Sequence, residues 1–108
     1  MESYKKLAEL LPGAGVLSTL YSVPLAASAV CSSVLACNQG SSIAKFRLSH
    51  AVAAAPDSAV QYLYRDEEIP AGKTFAATLG ITMASTDVLR CQSDNGQVSF
   101  NAYGSELT

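Results

Sequence analysis

The sequence predicts an all-β fold, a single β-sandwich or jelly roll of about seven to eight mostly antiparallel strands. Three observations favour it: apolar and polar residues alternate at period two over most of the chain, turn residues recur about every 8 to 12 residues, and 108 residues suit one domain. Of these residues 49% are hydrophobic, but 17 of the hydrophobic residues are alanine, so the larger apolar side chains suffice for one thin core. We therefore treat residues 1–108 as a single domain.

The N-terminal segment is the ambiguous part of the pattern. Leu7, Leu10 and Leu11 fit the spacing of a helix as well as that of a strand. Residues 4–11 are therefore left open between helix and strand, and residues 1–12 are expected to form an N-terminal arm or an edge strand.

Seven further segments alternate strongly enough to be strands. They are Val16–Val23, Ala29–Asn38, Ile43–His50, Gln61–Ile69, Thr74–Thr82, Val88–Ser93 and Gln97–Tyr103. In the first, Leu17 and Tyr21 share a face and Pro24 ends the strand. The second is apolar on both faces, which is typical of a central strand, and alternation puts Cys31 and Cys37 on the same face.

The middle of the chain combines a loop with a strand. Residues 51–60 are expected to form an exposed loop because Pro56 interrupts any helix there. In the strand that follows, alternation puts Tyr62 and Tyr64 on one face. The acidic run at residues 66–68 is interpreted as a solvated loop.

Two glycines carry specific predictions. Gly80 interrupts an apolar strand, where a bulge or a close backbone approach is expected. Asn95 and Gly96 stand between two strand-like segments, and Asn-Gly is the preferred pair for a two-residue type I′ turn. The sequence therefore predicts a β-hairpin over residues 88–103.

Signatures of catalysis are missing from the sequence. His50 is the only histidine, no glycine-flanked serine accompanies it, and it is interpreted as a satisfied polar tip at a strand end. We therefore expect no enzyme activity, no cofactor and no metal site.

Net charge and hydropathy argue against two classes of binding partner, nucleic acids and membranes. Seven basic and nine acidic residues give a net charge of −2 without a run of five or six like charges, so no nucleic-acid-binding surface is expected. Polar residues interrupt every apolar stretch before the ~18 residues of a transmembrane helix, so no membrane partner is expected either. The N-terminus makes a poor signal peptide, which predicts synthesis in a cytoplasm without processing.

Three cysteines leave several arrangements open. On a straight strand Cys31 and Cys37 would lie about 20 Å apart, beyond the ~7 Å that a disulfide spans between Cα atoms. The remaining alternatives are buried free thiols, a bridge from one of them to Cys91, and a crosslink between chains. A zinc site made with His50 would lack the usual short ligand spacing.

Six stretches carry a distinctive combination of hydrophobic and turn residues. They are Leu17–Pro24, Val34–Asn38, Tyr62–Tyr64, Ile69–Gly72, Thr86–Arg90 and Val98–Glu106. Together they resemble small structural proteins of tailed-bacteriophage particles, which are β-sandwich modules that decorate the capsid or sit in the neck and tail. The resemblance implies a structural role in the virion after synthesis in the host bacterial cytoplasm, and it brings no catalytic residues.

These observations predict a non-enzymatic virion protein, and a capsid decoration or minor capsid protein is the leading hypothesis. Its partners would be other virion proteins and further copies of itself, with intermolecular disulfides as one means of attachment. Tyr62, Tyr64 and Tyr103 are the candidate interface residues, because tyrosine buries a large area and keeps a hydrogen-bonding end. The alternatives are a neck, collar or tail component and a carbohydrate-binding adhesion module. An adhesion module would need exposed aromatics on one surface, and the chain has no tryptophan.

Overall fold

The computed structural model describes residues 2–108, which form eight strands and two short 3₁₀ turns. The strands are β1 (Glu2–Leu10), β2 (Ser18–Ser22), β3 (Ser28–Asn38), β4 (Ala44–Ala51), β5 (Tyr62–Ile69), β6 (Thr74–Met83), β7 (Val88–Ser93) and β8 (Val98–Leu107). The 3₁₀ turns, Val52–Ala54 and Ala59–Gln61, lie in the exposed connection between β4 and β5 that the sequence predicted.

The strands form two four-stranded antiparallel sheets. Sheet I has the order β1-β8-β3-β6, and sheet II has the order β2-β7-β4-β5. Consecutive strands lie in opposite sheets, except for β4 and β5, which pair with each other. Two facing four-stranded sheets that exchange strands in this way make a jelly roll, so the predicted fold class is confirmed.

An aromatic cluster joins the two sheets. The ring of Phe46 in sheet II lies 5.3 Å from that of Phe75 and 5.9 Å from that of Phe100, both in sheet I, measured between centroids. Tyr64 completes the cluster at 5.8 Å from Phe46 and 5.2 Å from Phe75. Such tilted and edge-on pairs add to the burial of apolar area, so this cluster is the centre of the core.

The ambiguous N-terminal segment is a strand. β1 pairs with β8 from Glu2 opposite Leu107 to Leu10 opposite Phe100, and its register shifts between Lys6 and Ala8. A register shift of this kind is a β-bulge, which adds one residue to one strand. Because the bulge changes the spacing of the buried side chains, Leu7, Leu10 and Leu11 have a spacing that also fits a helix.

A second bulge changes the faces of β3. Its register with both neighbouring strands shifts between Cys31 and Ser33. Cys31 therefore faces the core together with Val34, whereas Cys37 lies on the outer face. The prediction that Cys31 and Cys37 share a face is wrong for this reason.

Bulges in sheet II have the same effect. In β5, Tyr62 lies opposite Ser49 and Tyr64 lies opposite Leu48, which are neighbours on β4 and face opposite ways. The prediction that Tyr62 and Tyr64 share a face is therefore wrong. The register of β2 also shifts, so that its adjacent residues Leu20 and Tyr21 are both buried, which period two does not allow.

Two predictions about connections need correction. The chain does bend at residues 94–96, with φ of +70° at Gly96, but Asn95 lacks the positive φ of a type I′ turn, and β7 belongs to sheet II and β8 to sheet I, so the predicted type I′ hairpin is wrong. The acidic run at residues 66–68 lies within β5 rather than in a loop.

Gly80 does lie where the registers of β3 and β6 shift, so the bulge predicted there is confirmed.

Candidate interaction surface

The outer face of sheet I carries charge on its edge strand β1, where Glu2, Lys6 and Glu9 point outward, and none on its other three strands. β3 and β6 contain no charged residue, and the one charged residue of β8, Glu106, reaches the inward-facing Tyr21 of sheet II. We call this surface the bare face. Its outward side chains, exposed or half-buried, are Glu2, Tyr4, Lys6, Glu9, Ser28, Val30, Ser32, Ser33, Leu35, Cys37, Thr74, Ala76, Thr78, Thr82, Ser99, Asn101, Tyr103 and Leu107.

Apolar side chains gather at one end of the bare face. Tyr4 is 81% exposed, Leu107 52%, Val30 40% and Tyr103 37%. Tyr4 and Val30 lie on either side of Ser105 in the pairing register, which leaves that serine only 9% exposed. These four side chains, the tyrosine patch, form a contiguous apolar area of the kind that marks interaction sites on otherwise polar surfaces.

A lysine borders the tyrosine patch and leaves a shallow depression beside it. Lys6 Nζ lies 5.8 Å from the centroid of the Tyr103 ring and 2.7 Å from Glu9 Oε1. The depression is lined by residues of β1, β3 and β8, among them Tyr4 and Ser32. Aromatic side chains beside two lysines and several hydroxyl groups suit contact with a polypeptide or a polar ligand.

The outer face of sheet II contrasts with the bare face. It carries charged side chains, including the Arg47–Asp66 ion pair with Nε–Oδ1 at 2.8 Å. Arg90 donates from its guanidinium to the carbonyl oxygen of Ala55 at 2.9 Å, which holds the connection after β4 against this sheet. One side of the sandwich is thus charged and partly covered by its own chain, and the other is open and carries charge only on β1.

A buried carboxylate fixes the end of sheet II. Asp87, 4% exposed, accepts hydrogen bonds from the backbone N–H of Ala53 (2.9 Å) and of Ala84 (3.2 Å), and its Oδ2 lies 2.9 Å from His50 Nε2. Burial alone would raise the pKa of the Asp87 carboxyl, but these hydrogen bonds outweigh it and hold that pKa below its usual value. The interpretation of His50 as a satisfied polar tip is confirmed, and Asp87 is the partner that sequence reasoning missed.

An ionic contact closes the sandwich near the tyrosine patch. Lys5 Nζ lies 2.6 Å from Glu106 Oε1, and the Tyr21 hydroxyl donates to the other carboxylate oxygen. Lys5 and the Tyr21 hydroxyl lower the pKa of the Glu106 carboxyl, while burial and Glu106 raise that of Tyr21. This contact ties the edge strand β1 to sheet II through β8.

The three predicted cysteine sites differ in environment, and all three thiols are free. Cys31 and Cys91 are fully buried, and burial raises the pKa of both thiols, that of Cys91 to about 12. Cys37 lies half-buried on the bare face. The structure therefore contains no bridge from Cys31 or Cys37 to Cys91, and residues 2–108 hold no cluster of three or more His, Cys, Asp or Glu residues that could bind a metal ion.

The three predicted interface tyrosines are not brought together. Tyr103 lies in the tyrosine patch, Tyr64 packs in the aromatic cluster, and Tyr62 donates to Asp57 Oδ2 at 2.9 Å on the other side of the sandwich. Tyr4 joins Tyr103 instead. No pattern in the sequence indicated Tyr4, because its face depends on the strand conformation of β1.

Comparison with known proteins supports the fold. No protein-family model matches the sequence, and no curated protein matches it. A chain from a solved structure, that of infectious bursal disease virus, Gx strain, is similar with a TM-score of 0.55 and 15% sequence identity. The match covers 98% of this chain and 32% of that chain, so the present sequence spans about a third of the other. The fold thus occurs in a virus structure, although that virus is not a tailed bacteriophage.

Within the described part of the chain, no helix is long and apolar enough to span a membrane.

Proposed function

We propose that this chain is a non-enzymatic structural protein of a virus particle and that it acts by burying its bare face against another protein of the particle. The observation that carries the proposal is the uncharged outer surface of β3, β6 and β8, three of the four strands of sheet I, with the tyrosine patch at one end. A charged face would have to be desolvated or matched on contact, whereas a neutral face is covered without that penalty. The jelly-roll fold shared with a chain of a virus structure supports the same role.

The size of the bare face suits a specific contact. Four strands about 4.8 Å apart and about nine residues long give a footprint of about 600 Å² before the side chains add to it. A standard interface buries about 800 Å² of accessible surface on each partner. Together with neighbouring loops, the bare face reaches that range.

Within the particle, our proposal is a capsid decoration or minor capsid protein of a tailed bacteriophage, with a neck, collar or tail component as the alternative. The sequence resemblance supports the phage assignment, and both placements use the same fold. Copy number separates them: hundreds of copies per purified particle, counted by quantitative mass spectrometry, support the shell, and a single ring of copies supports the neck or tail.

Of the three cysteines, Cys37 is the one placed to form a disulfide with another protein of the particle. Cys37 lies on the proposed interface, whereas Cys31 and Cys91 are buried inside the sandwich. Non-reducing and reducing gels of particles prepared with blocked thiols test this: a crosslinked band that a Cys37→Ser variant abolishes supports attachment through Cys37. A monomer on both gels rules it out.

A carbohydrate-binding adhesion module is the second candidate. Tyr4 and Tyr103 supply the exposed aromatics on one surface that such a module needs, beside the shallow depression. Binding of the isolated chain to a glycan array, lost in Tyr103→Ala, would favour this function over the structural one.

A matched pair of variants tests the structural proposal. Val30→Glu puts a charge in the tyrosine patch, and Leu63→Glu puts the same charge on β5 of sheet II at a similarly exposed position, 40% against 43%. In cosedimentation with particles that lack the chain, we expect Val30→Glu to weaken binding about 30-fold, the size of a typical hot spot, and Leu63→Glu to bind like wild type. Equal binding by both variants would contradict the role of the bare face.

A further inference from the structure

The two sheets expose four edge strands, and three of them are protected against pairing with another chain. Sheet I ends in β1 and β6, and sheet II ends in β2 and β5. β2 is five residues long with a register shift, β5 carries the charged run Arg65–Glu68 with two shifts, and β1 carries four charged residues with one shift. Short length, charge and bulges are the devices by which proteins keep edges from associating.

β6 has the least protection of the four. It is ten residues long and contains neither a charged residue nor proline. Its first half, Thr74–Thr78, pairs with β3 in unbroken register, and the register shift comes only after it. No other strand among residues 2–108 pairs with β6, so its outer row of N–H and C=O groups remains open.

The side chains along this edge are small or apolar. Thr74, Ala76 and Thr78 are exposed on the bare face. Phe75 and Leu79, which pack against the core on the other side of the strand, remain half-buried at the open border of the sandwich. A strand added to β6 would cover both of these apolar side chains.

We propose that β6 pairs in antiparallel orientation with β6 of a second copy of this chain, about a twofold axis at Ala76. This register places Thr74 opposite Thr78 of the other copy, Phe75 opposite Ala77, and Ala76 opposite itself. The two copies of sheet I become one continuous eight-stranded sheet, and the edge with the least protection is closed.

Self-complementarity favours a second copy as the occupant. An isologous contact brings each surface onto itself, so a charged edge repels its own copy, whereas β6 has no charge to repel. Opposed threonines and opposed apolar residues are stabilising cross-strand pairs. The same symmetry applied to β5 would oppose its acidic residues, so β6 is the edge that suits a twofold contact.

This pairing is independent of the proposed contact through the bare face. It uses the strand edge, whereas the tyrosine patch lies on β1, β3 and β8. The Val30→Glu variant is therefore expected to self-associate like wild type. Failure of the dimer would leave particle binding intact, and failure of particle binding would leave the dimer intact.

Sedimentation equilibrium with charge variants at Ala76 tests the proposal. Wild type is expected to reach twice the monomer mass of 11.2 kDa, and Ala76→Lys and Ala76→Glu are each expected to remain monomeric. An equimolar mixture of the two variants should dimerise again, because each pair at the axis then joins opposite charges. Thr19→Lys, at an exposed position on the edge strand β2, adds the same charge elsewhere and should dimerise like wild type.

Folding of each variant is checked by its circular dichroism spectrum and thermal unfolding, so that loss of structure is not mistaken for loss of pairing. A wild-type protein that stays monomeric up to about 1 mM, corresponding to an association weaker than about 4 kcal/mol, would overturn the proposal. So would an Ala76→Lys protein that dimerises like wild type, or a mixture that stays monomeric while wild type dimerises.

Discussion

Replacing Asp87 by asparagine removes a buried charge while preserving the shape of the side chain. The carboxylate has three partners, the backbone N–H groups of Ala53 and Ala84 and the ring of His50. Together they join the connection after β4 to the turn before β7 and to the end of β4 itself. The substitution therefore loosens one end of sheet II and leaves the bare face untouched.

The expected magnitude follows from these three bonds. A hydrogen bond to a charged group contributes about 1 kcal/mol more than a neutral one, so neutralising the acceptor weakens the three by about 3 kcal/mol together. Water reaches the exposed residues Ala53 and Ala84 and replaces part of this loss, which leaves about 2 kcal/mol. For a domain of this size that lowers Tm by about 8 to 16 °C.

The difference depends on pH in a defined direction. The pKa of the Asp87 carboxyl is lowered in the folded protein, so its contribution is fully present above the unfolded pKa of about 3.9 and is lost as pH falls through the folded value. The gap in unfolding free energy between wild type and Asp87→Asn should therefore hold at pH 7 and close in acid below about pH 4.

Urea unfolding followed by circular dichroism at pH 7, 5 and 3 measures this gap. Glu67→Gln is the control, because it removes the same charge from an exposed position on β5. A variant as stable as wild type at pH 7, or a gap of the same size at pH 3, would refute the reasoning about Asp87.

Three further predictions concern packing and reactivity. Gly104→Ala should destabilise the fold by about 3 kcal/mol in urea unfolding, because the added methyl group would overlap the carbonyl oxygen of Val30 across the β3 bulge; wild-type stability would contradict that packing. Phe46→Ala should cost about 4 kcal/mol in the same assay, because it empties the centre of the aromatic cluster, and a loss under 1 kcal/mol would show that the cluster is not the core. A maleimide should label Cys37 in the native protein and the two buried thiols only after denaturation, which peptide mapping detects; labelling of all three at equal rates would be inconsistent with the burial described.

The sequence was sufficient to predict the strands but not the faces they present. Alternation and turn residues located seven of the eight strands. A single bulge residue reverses every side chain beyond it, and nothing in the local sequence at Cys31 or Leu63 distinguishes a bulge from a regular strand. For that reason the alternation pattern wrongly placed Cys31 on the same face as Cys37, and Tyr62 on the same face as Tyr64.

The remaining features could not be predicted because they depend on which strands pair over long distances in the sequence. The bend at Asn95 was recognised from its residues, but local sequence does not determine whether the next strand pairs with the previous one or crosses to the other sheet. Tyr103 was identified as a candidate interface residue from its chemistry alone. Tyr4 joins it only because β1 pairs with β8, which is a property of the assembled sheet.

Hydroxyl-radical footprinting of the free chain and of purified particles tests the central claim most directly. Tyr4 and Tyr103 lie on the bare face, while Tyr62 lies on the other side of the sandwich and serves as the internal reference. If the bare face is the surface buried in the particle, oxidation of Tyr4 and Tyr103 relative to Tyr62 should fall severalfold on assembly. Absence of the chain from the particles, or an unchanged oxidation ratio, would contradict the account.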